Sequence, residues 1–396
     1  MKSGQVKITL KPGKEQSVKR FHPWIFSGAI ARIAGKPAEG EWVSVYSSED
    51  EFLAAGHYQV GSIAVRVLTF ADVEPDDNFW KNKIESAWKL RQSLGFDNNT
   101  ETNVFRLVHG EGDGLPGLIV DFYNGTAVMQ SHSVGMYLVR EMLVKALCKV
   151  LGDKLIAVYD KSEKSLPFKA GVESKDGYLF GENSDREVLE NGLRFKVDWL
   201  EGQKTGFFID QRENRHLVQQ YSAGREVLNM FCYTGGFSFY AMKGNAQLVH
   251  SVDSSAKAIE LTNQNVALNF LNDTRHEAFA ADAFEFMRDI KNKYDLIILD
   301  PPAFAKHRDA LHQALQAYKR INTRAFEQIR SGGILFTFSC SQVVSKEKFR
   351  EAVFSAAAIA KRNVRILHQL TQPADHPVNI YHPEGEYLKG LVLYVE

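Results

Sequence analysis

Two short stretches of the chain bring together residue types suited to acid–base and nucleophilic chemistry. Asp300 is followed by Pro301 and Pro302, and Cys340 stands between Ser339 and Ser341. Each closes an apolar run, YDLIILD (294–300) and GILFTFS (333–339). Two prolines lack N–H donors, stop a strand and stiffen the turn, so Asp300 is held in a fixed direction. If the two runs are neighbouring strands, their ends lie about 5 Å apart and a carboxylate and a thiol face one pocket.

Ligands of an open α/β sheet bind outside the carboxyl ends of its strands, so the residues following each apolar run matter most. The run REVLNMF (225–231) leads into Cys232, Tyr233, Thr234, Gly235, Gly236 and Phe237. Glycines here let the backbone approach a ligand and open a helix. The spacing is not GxGxxG, so the tight turn for a dinucleotide pyrophosphate is missing and a nucleoside ligand without phosphates fits better. LVHSVD (248–253) ends at Asp253, placed to accept from both ribose hydroxyls of an adenosine. EAFAAD (277–282) ends at Asp282, which is suited either to accept from an adenine amine or to cap the next helix.

The elements that position these residues form a regular series. From about 196 onward the apolar runs alternate with segments of helical period, which describes a parallel α/β sheet with right-handed crossovers. Upstream the texture differs. Residues 1–72 contain short β-type runs such as WVSVY (42–46) and IAVRVL (63–68), expected to form a small β-barrel or sandwich. ADVEPDDN (71–78) reads as a linker, followed by a helix near 79–95 with Trp80, Ile84, Trp88 and Arg91 on one face. The middle region, 73–190, mixes helix and strand patterns, with a hairpin expected around Asn124-Gly125. GEGDGLPG (110–117) is glycine-rich, yet Glu111 and Asp113 would repel a phosphate, so it reads as a turn. Three domains follow: 1–72, 73–190 and 191–396.

Composition narrows the function classes. The chain has 396 residues, 44% hydrophobic and 24% charged, with 48 basic and 48 acidic residues, which excludes a disordered or low-complexity chain. No window approaches the ~18 apolar residues of a membrane span, and the N-terminus lacks a secretory core, so a cytoplasmic protein without membrane partner is expected. Cys148, Cys232 and Cys340 lie far apart with no CxxC spacing, and no histidine pattern suits a ligand set; no metal is expected. Residues 1–36 carry Lys2, Lys7, Lys11, Lys14, Lys19, Arg20, Arg32 and Lys36 against Glu15 alone, which fits contact with a phosphate backbone or a solvated lysine face. Phe21, Trp24 and Phe26 accompany them, the last two also suited to a barrel core.

NMFCYTGG, SVDSSAKAIE, AADAF, LDPPAFAK and FSCS together resemble class I S-adenosylmethionine-dependent methyltransferases, and more narrowly RNA cytosine-5 methyltransferases. KPGKEQSVKRFHPWIFSGAI resembles a PUA domain, a small RNA-binding barrel. With GEGDGLPGLIVDFY and TGFFIDQRENR the resemblance runs nearly the full chain, toward bacterial enzymes acting on 23S large-subunit ribosomal RNA. It implies S-adenosyl-L-methionine as cofactor, held by Phe231, Tyr233, Thr234, Gly235, Gly236, Asp253, Asp282, Asp300 and Pro301. It also implies Cys340 as nucleophile toward carbon 6 of the base, and Asp300 as the contact to its N3/N4 edge. A free thiol has a pKa of ~8.5, so Cys340 requires a helix N-terminus, such as one beginning near Ser345, or a cation such as Lys306. Asn229 departs from the many methyltransferases that carry an acid there.

Bland alternatives stand beside these readings. Cys148 lies in a helical apolar pattern and Cys232 in the nucleoside loop, both suited to packing. Lys204, Gln211 and Arg212 are assignable to RNA, to the cofactor carboxylate, or to solvent. The same fold also serves methylation of an exocyclic base nitrogen, although Ala303 separates the prolines from Phe304, and a non-catalytic RNA-binding factor. The oligomeric state stays open, a homodimer being one option.

Overall fold

The alternating runs at the N-terminus become six strands of one curled sheet: β1 (Val6–Leu10), β2 (Trp24–Phe26), β3 (Ile30–Ala34), β4 (Trp42–Tyr46), β5 (Phe52–Tyr58) and β6 (Ile63–Thr69), ordered β2-β6-β5-β4-β1-β3. The computed structural model describes residues 6–167, 171–305 and 307–396. Within this sheet, among the described residues, only β1 and β4 pair in parallel. Their inward side chains, among them Ile8, Leu10, Val43, Val45, Val65 and Val67, fill a core of their own. A short helix α1 (Gln16–Lys19) follows β1.

Downstream, α2 (Asp77–Ser93) is started by Asp76, whose carboxylate accepts the Phe79 amide at 2.7 Å. Trp80, Ile84, Ala87 and Trp88 recur at helical spacing and are buried, as the periodicity predicts. They pack on a second sheet, β7 (Val104–His109), β8 (Leu118–Tyr123), β9 (Thr126–Ser131), β10 (Ala157–Asp160) and β11 (Gly177–Phe180), in consecutive order. The β8–β9 hairpin turns at Asn124-Gly125, with Tyr123 opposite Thr126. Helices α3 (Val134–Leu138) and α4 (Arg140–Leu151) connect β9 to β10, and β12 (Glu187–Glu190) follows β11.

These elements, residues 197–209 and the distant segment 374–385 form one unit; 193–196, 210–373 and 386–396 form a second. The first unit contains a buried charge network. Arg91, at the end of the α2 stripe, is fully buried; it binds both Asp113 oxygens at 2.5 and 2.9 Å and the Asp375 carbonyl at 2.7 Å. Asp375 in turn accepts the Arg106 amide at 2.9 Å, and Arg106 clamps Asp121 at 2.8 and 2.9 Å. GEGDGLPG is a turn, as the sequence implies: its acids are internal fasteners, Asp113 for Arg91 and Glu111 for Trp24 Nε1 (2.8 Å) and Arg66 (3.2 Å).

The second unit contains β13 (Leu193–Lys196), α5 (Arg212–Tyr221), β14 (Glu226–Met230), α6 (Gly236–Lys243), β15 (Leu248–Asp253), α7 (Ala256–Asn269), β16 (His276–Ala280), α8 (Ala283–Phe286), β17 (Leu296–Leu299), α9 (Leu311–Gln328), β18 (Gly333–Ser339), α10 (Lys346–Ile359), β19 (Val364–Leu370) and β20 (Lys389–Val395). Its seven-stranded sheet is ordered β16-β15-β14-β17-β18-β20-β19. The five expected strands are parallel, and order reverses between β14 and β17, which creates the crevice where such sheets bind ligands. One expectation is corrected: the sheet is mixed. β20 runs antiparallel to both β18 and β19, because the chain returns between them as a long hairpin-like excursion instead of through a crossover helix. No helix among the described residues is long and apolar enough to cross a membrane.

Candidate active site

The loop after β14 is shaped by left-handed backbone. Phe231 (φ 59°), Tyr233 (φ 47°) and Gly235 (φ 83°) all adopt it, and two of the three are aromatic residues that rarely do. Asp253 holds the shape from β15: Oδ2 accepts the Tyr233 amide at 3.0 Å and Oδ1 the Ser255 amide at 2.9 Å. Thr262 of α7 donates to the Tyr233 carbonyl at 2.9 Å and Asn265 to that of Thr234 at 3.4 Å. At Gly235 a Cβ would lie 2.6 Å from the Phe239 ring and 2.7 Å from Thr262 Cγ2, so no larger residue fits. Gly236 opens α6, and a Cβ there would meet Arg215 at 3.0 Å.

Such a cradle at the strand-order reversal fits an adenosyl group. Asp253 has an acceptor lone pair left on each oxygen for ribose hydroxyls. Asp282 caps α8, its Oδ1 taking the Phe284 and Glu285 amides at 2.9 and 3.0 Å; its Oδ2 is left over for a ligand. Asn229 is fully buried and uses only its amide nitrogen inside the fold, its Oδ1 having no hydrogen-bond partner among the described residues. Its amide nitrogen donates to Ser238 Oγ (2.9 Å), which bonds Ser251 Oγ (2.6 Å), itself bonded to His276 Nε2 (2.8 Å). Burial pulls His276 down to about 4, so this chain of dipoles is neutral. A carboxylate in place of Asn229 would be a buried charge.

The second cluster forms where β17 and β18 end. They are parallel neighbours, Leu299 opposite Thr337, so the condition for a shared pocket is met. Ser341 Oγ donates to the Ala305 carbonyl at 2.6 Å, which ties the Cys340 loop to the Asp300 loop. Between them stands Tyr318 of α9. Its hydroxyl receives a bond from Ser339 Oγ at 2.9 Å and its ring packs on Phe304, 4.7 Å between centroids. Burial, and to a smaller extent the negative charges of Cys340 and Asp300, push this phenol up to about 12. Both groups are therefore electrostatic neighbours of one hydroxyl.

Lys389 of β20, opposite Ser339 in the ladder, donates from Nζ to the Ser341 carbonyl at 2.5 Å. Neither Tyr318 nor Lys389 was singled out from the sequence; a lysine opening the apolar run KGLVLYV was the available signal. Helix α10 begins after Ser345, whose Oγ caps Lys348, where a helix start was expected. Lys306 lies outside the described residues. The other two cysteines pack: burial, then the charge of Asp253, pushes the Cys232 thiol far up, and burial raises Cys148.

Lys11, Lys14, Lys19 and Arg20 are exposed on the first unit, Lys19 paired with Glu51 at 2.6 Å and Lys11 bonded to the Gly28 carbonyl at 2.9 Å. Beside them Phe21, left-handed at φ 64° and 47% exposed, meets Phe70 (5.1 Å) and Tyr381 (5.4 Å) edge-on or tilted. Ile25 of β2 is barrel core; Phe26 is exposed and Trp24 is half-buried. Lys204 is exposed in the first unit over the Phe208 ring, whereas Arg212 belongs to the second unit and is 2% exposed, beside Glu213 at 3.3 Å.

The sheet order, the nucleoside loop and the strand-end acids define a class I S-adenosylmethionine-dependent methyltransferase. A family model described as S-adenosylmethionine-dependent methyltransferase matches residues 106–379, and a PUA-like domain model matches residues 8–70. Among curated proteins the chain is 40% identical over 394 residues to the ribosomal RNA large subunit methyltransferase I of Alteromonas mediterranea, covering 98% of each. It is 39% identical to the protein of the same name from Tolumonas auensis, again covering 98% of each. The chain belongs to the ribosomal RNA large subunit methyltransferase I family. Among solved structures, a Streptococcus mutans protein assigned as a SAM-dependent methyltransferase superposes with TM-score 0.84 at 22% identity, over 98% of this chain and all of that one. Another structure, of an assigned methyltransferase complexed with SAH, has TM-score 0.85 at 23% identity over the same shares. These two share the fold.

Proposed function

We propose that this protein methylates carbon 5 of a cytosine in 23S ribosomal RNA through a covalent bond to Cys340. The observation that carries the reading is the tie between the Asp300 and Cys340 loops, beside a cradle suited to an adenosyl group. S-adenosylmethionine supplies the methyl from its sulfonium. Carbon 5 of cytosine is a poor nucleophile until a thiolate adds to carbon 6. Cys340 forms that C–S bond, and the ring's electron pair becomes available at carbon 5 for the methyl. Loss of the carbon-5 proton to a base then expels the thiolate and restores the ring. Asp300 would contact the N3/N4 edge and stabilise the charge that develops there.

The basic N-terminal lobe, residues 1–72, would hold the RNA backbone through Lys11, Lys14, Lys19 and Arg20. The exposed rings of Phe21 and Tyr381 offer stacking surfaces for unpaired bases. On this reading 73–190 is a spacer domain that assists RNA binding, and 191–396 carries the chemistry. Lys204 is assigned to RNA; for Arg212, burial favours a role inside the fold.

The test is an RNA bearing 5-fluorocytosine at the target. Fluorine cannot leave as a proton does, so the adduct should persist in denaturant. Cys340→Ala should abolish both adduct and methyl transfer while cofactor binding stays within about twofold. Methylation at the normal rate by that variant would refute the thiol mechanism and favour an exocyclic nitrogen. Absence of transfer to any RNA by the unaltered protein would favour a binding factor.

A further inference from the structure

The second unit places a buried ammonium at the thiol. Lys389 is 6% exposed, and its neighbour across the ladder is Ser339, the residue before Cys340. Its Nζ reaches the carbonyl of Ser341, the residue after Cys340, at 2.5 Å. The side chain thus spans the strand end that presents the sulfur. Taking an ammonium out of water is costly unless an anion or a full set of acceptors replaces the solvent. We infer that Lys389 is the cation that keeps Cys340 as a thiolate, a positioning residue for the nucleophile. This rests on the reading of Cys340 given above.

The surroundings assign that role to Lys389 over its neighbours. Among the described residues, Tyr318 on α9 and Lys389 on β20 interact electrostatically with Cys340, and Asp300 after β17 acts on the same Tyr318 hydroxyl. Asp300 opposes a thiolate by repulsion, and the Tyr318 phenol remains neutral at working pH, its oxygen accepting from Ser339 Oγ. Lys346 of α10 is directed to Glu386 in an ion pair and acts on Lys389 mainly by lowering it. Burial, then, brings Lys389 down to about 8 while the charge of Cys340 works the other way. The pair is consequently most polarised, thiolate against ammonium, near neutral pH, and the ammonium is lost as pH rises through about 8. Lys306, the sequence-based alternative, lies outside the described residues.

Alkylation of the full-length protein by iodoacetamide, with mass mapping of the Cys340 peptide across pH 5–10, reads the thiolate directly and needs no RNA. The unaltered protein should alkylate Cys340 with a midpoint below the ~8.5 of a free thiol. Lys389→Met should move that midpoint upward and slow alkylation at pH 7 about tenfold, one decade per unit of pKa. Lys389→Arg, which keeps the charge, should recover at least a third of the rate. A free-thiol midpoint in the unaltered protein overturns the inference whatever the variants do, and so does an unchanged profile in a folded Lys389→Met protein. Either result, with methyl transfer still lost in Cys340→Ala, would remove Lys389 and leave the thiol mechanism; retained transfer in Cys340→Ala would remove the mechanism itself.

Discussion

Replacing Asp253 by asparagine removes the charge and one acceptor from the group that shapes the nucleoside loop, without changing its size. The carboxylate takes the amide of Tyr233 on one oxygen and that of Ser255 on the other. Asparagine keeps one of these bonds and turns an NH2 toward the other N–H. A hydrogen bond to a charged group contributes about 1.5–3 kcal/mol. Its loss corresponds to roughly 10- to 150-fold in affinity if it is needed only when Tyr233 is in the binding-competent, left-handed shape. Calorimetric titration with S-adenosylhomocysteine should therefore show a Kd raised by that range, with the thermal midpoint little changed. The matched control is Asp282→Asn. There Oδ1 accepts both capping amides, and asparagine caps as well as aspartate. Only the oxygen left for a ligand is altered, and an adenine amine meeting an NH2 should weaken binding about tenfold. Unchanged affinity in Asp253→Asn, with the protein folded, would refute the claim that this carboxylate builds the loop; unchanged affinity in Asp282→Asn would reduce Asp282 to a helix cap.

Two stability predictions accompany those on Cys340 and Lys389. Asp113→Ala leaves Arg91 buried without its carboxylate and should lower the stability of the first unit by about 3–5 kcal/mol, whereas the double variant Arg91→Met, Asp113→Leu should lose less; urea unfolding reads both, and equal losses would refute the assignment. Acid should also weaken this unit. His57 stacks on Trp80 and burial lowers it to about 4, so between its unfolded value of 6.5 and about 4 the unfolded chain binds more protons and stability falls as pH falls. That one group accounts for about 3 kcal/mol across the window, and His57→Gln should flatten the slope read by tryptophan fluorescence; an unchanged slope would locate the acid sensitivity elsewhere.

Much of the catalytic half was legible because most of its parallel strands coincide with apolar runs. LVHSVD and GILFTFS coincide with β15 and β18 to the residue, and Asp253 follows from its place at a strand end. Shape was less legible than identity. The left-handed Phe231 and Tyr233 are imposed by bonds from Asp253 and Thr262, which no local pattern reveals. β19 escaped because VRILHQL alternates with polar residues on an exposed edge. Lys389 was invisible for the same reason that it matters: its nearest chemical neighbours are 48 positions away in sequence and one strand away in space.

The excursion 374–385, which leaves the catalytic sheet after β19 and supplies Asp375 to Arg91 and Arg106, bears on how the gene can be cut. A fragment ending near 209 would keep Arg91 and Arg106 but lose the residue whose carbonyl receives the Arg91 guanidinium and whose carboxylate receives the Arg106 backbone amide. A fragment starting near 210 would carry that aspartate as an orphaned tongue between two strands it does not belong to. Dissection by simple truncation therefore damages both products at once. Recombination between relatives meets the same barrier, since the tongue and its arginine socket must be inherited from the same parent.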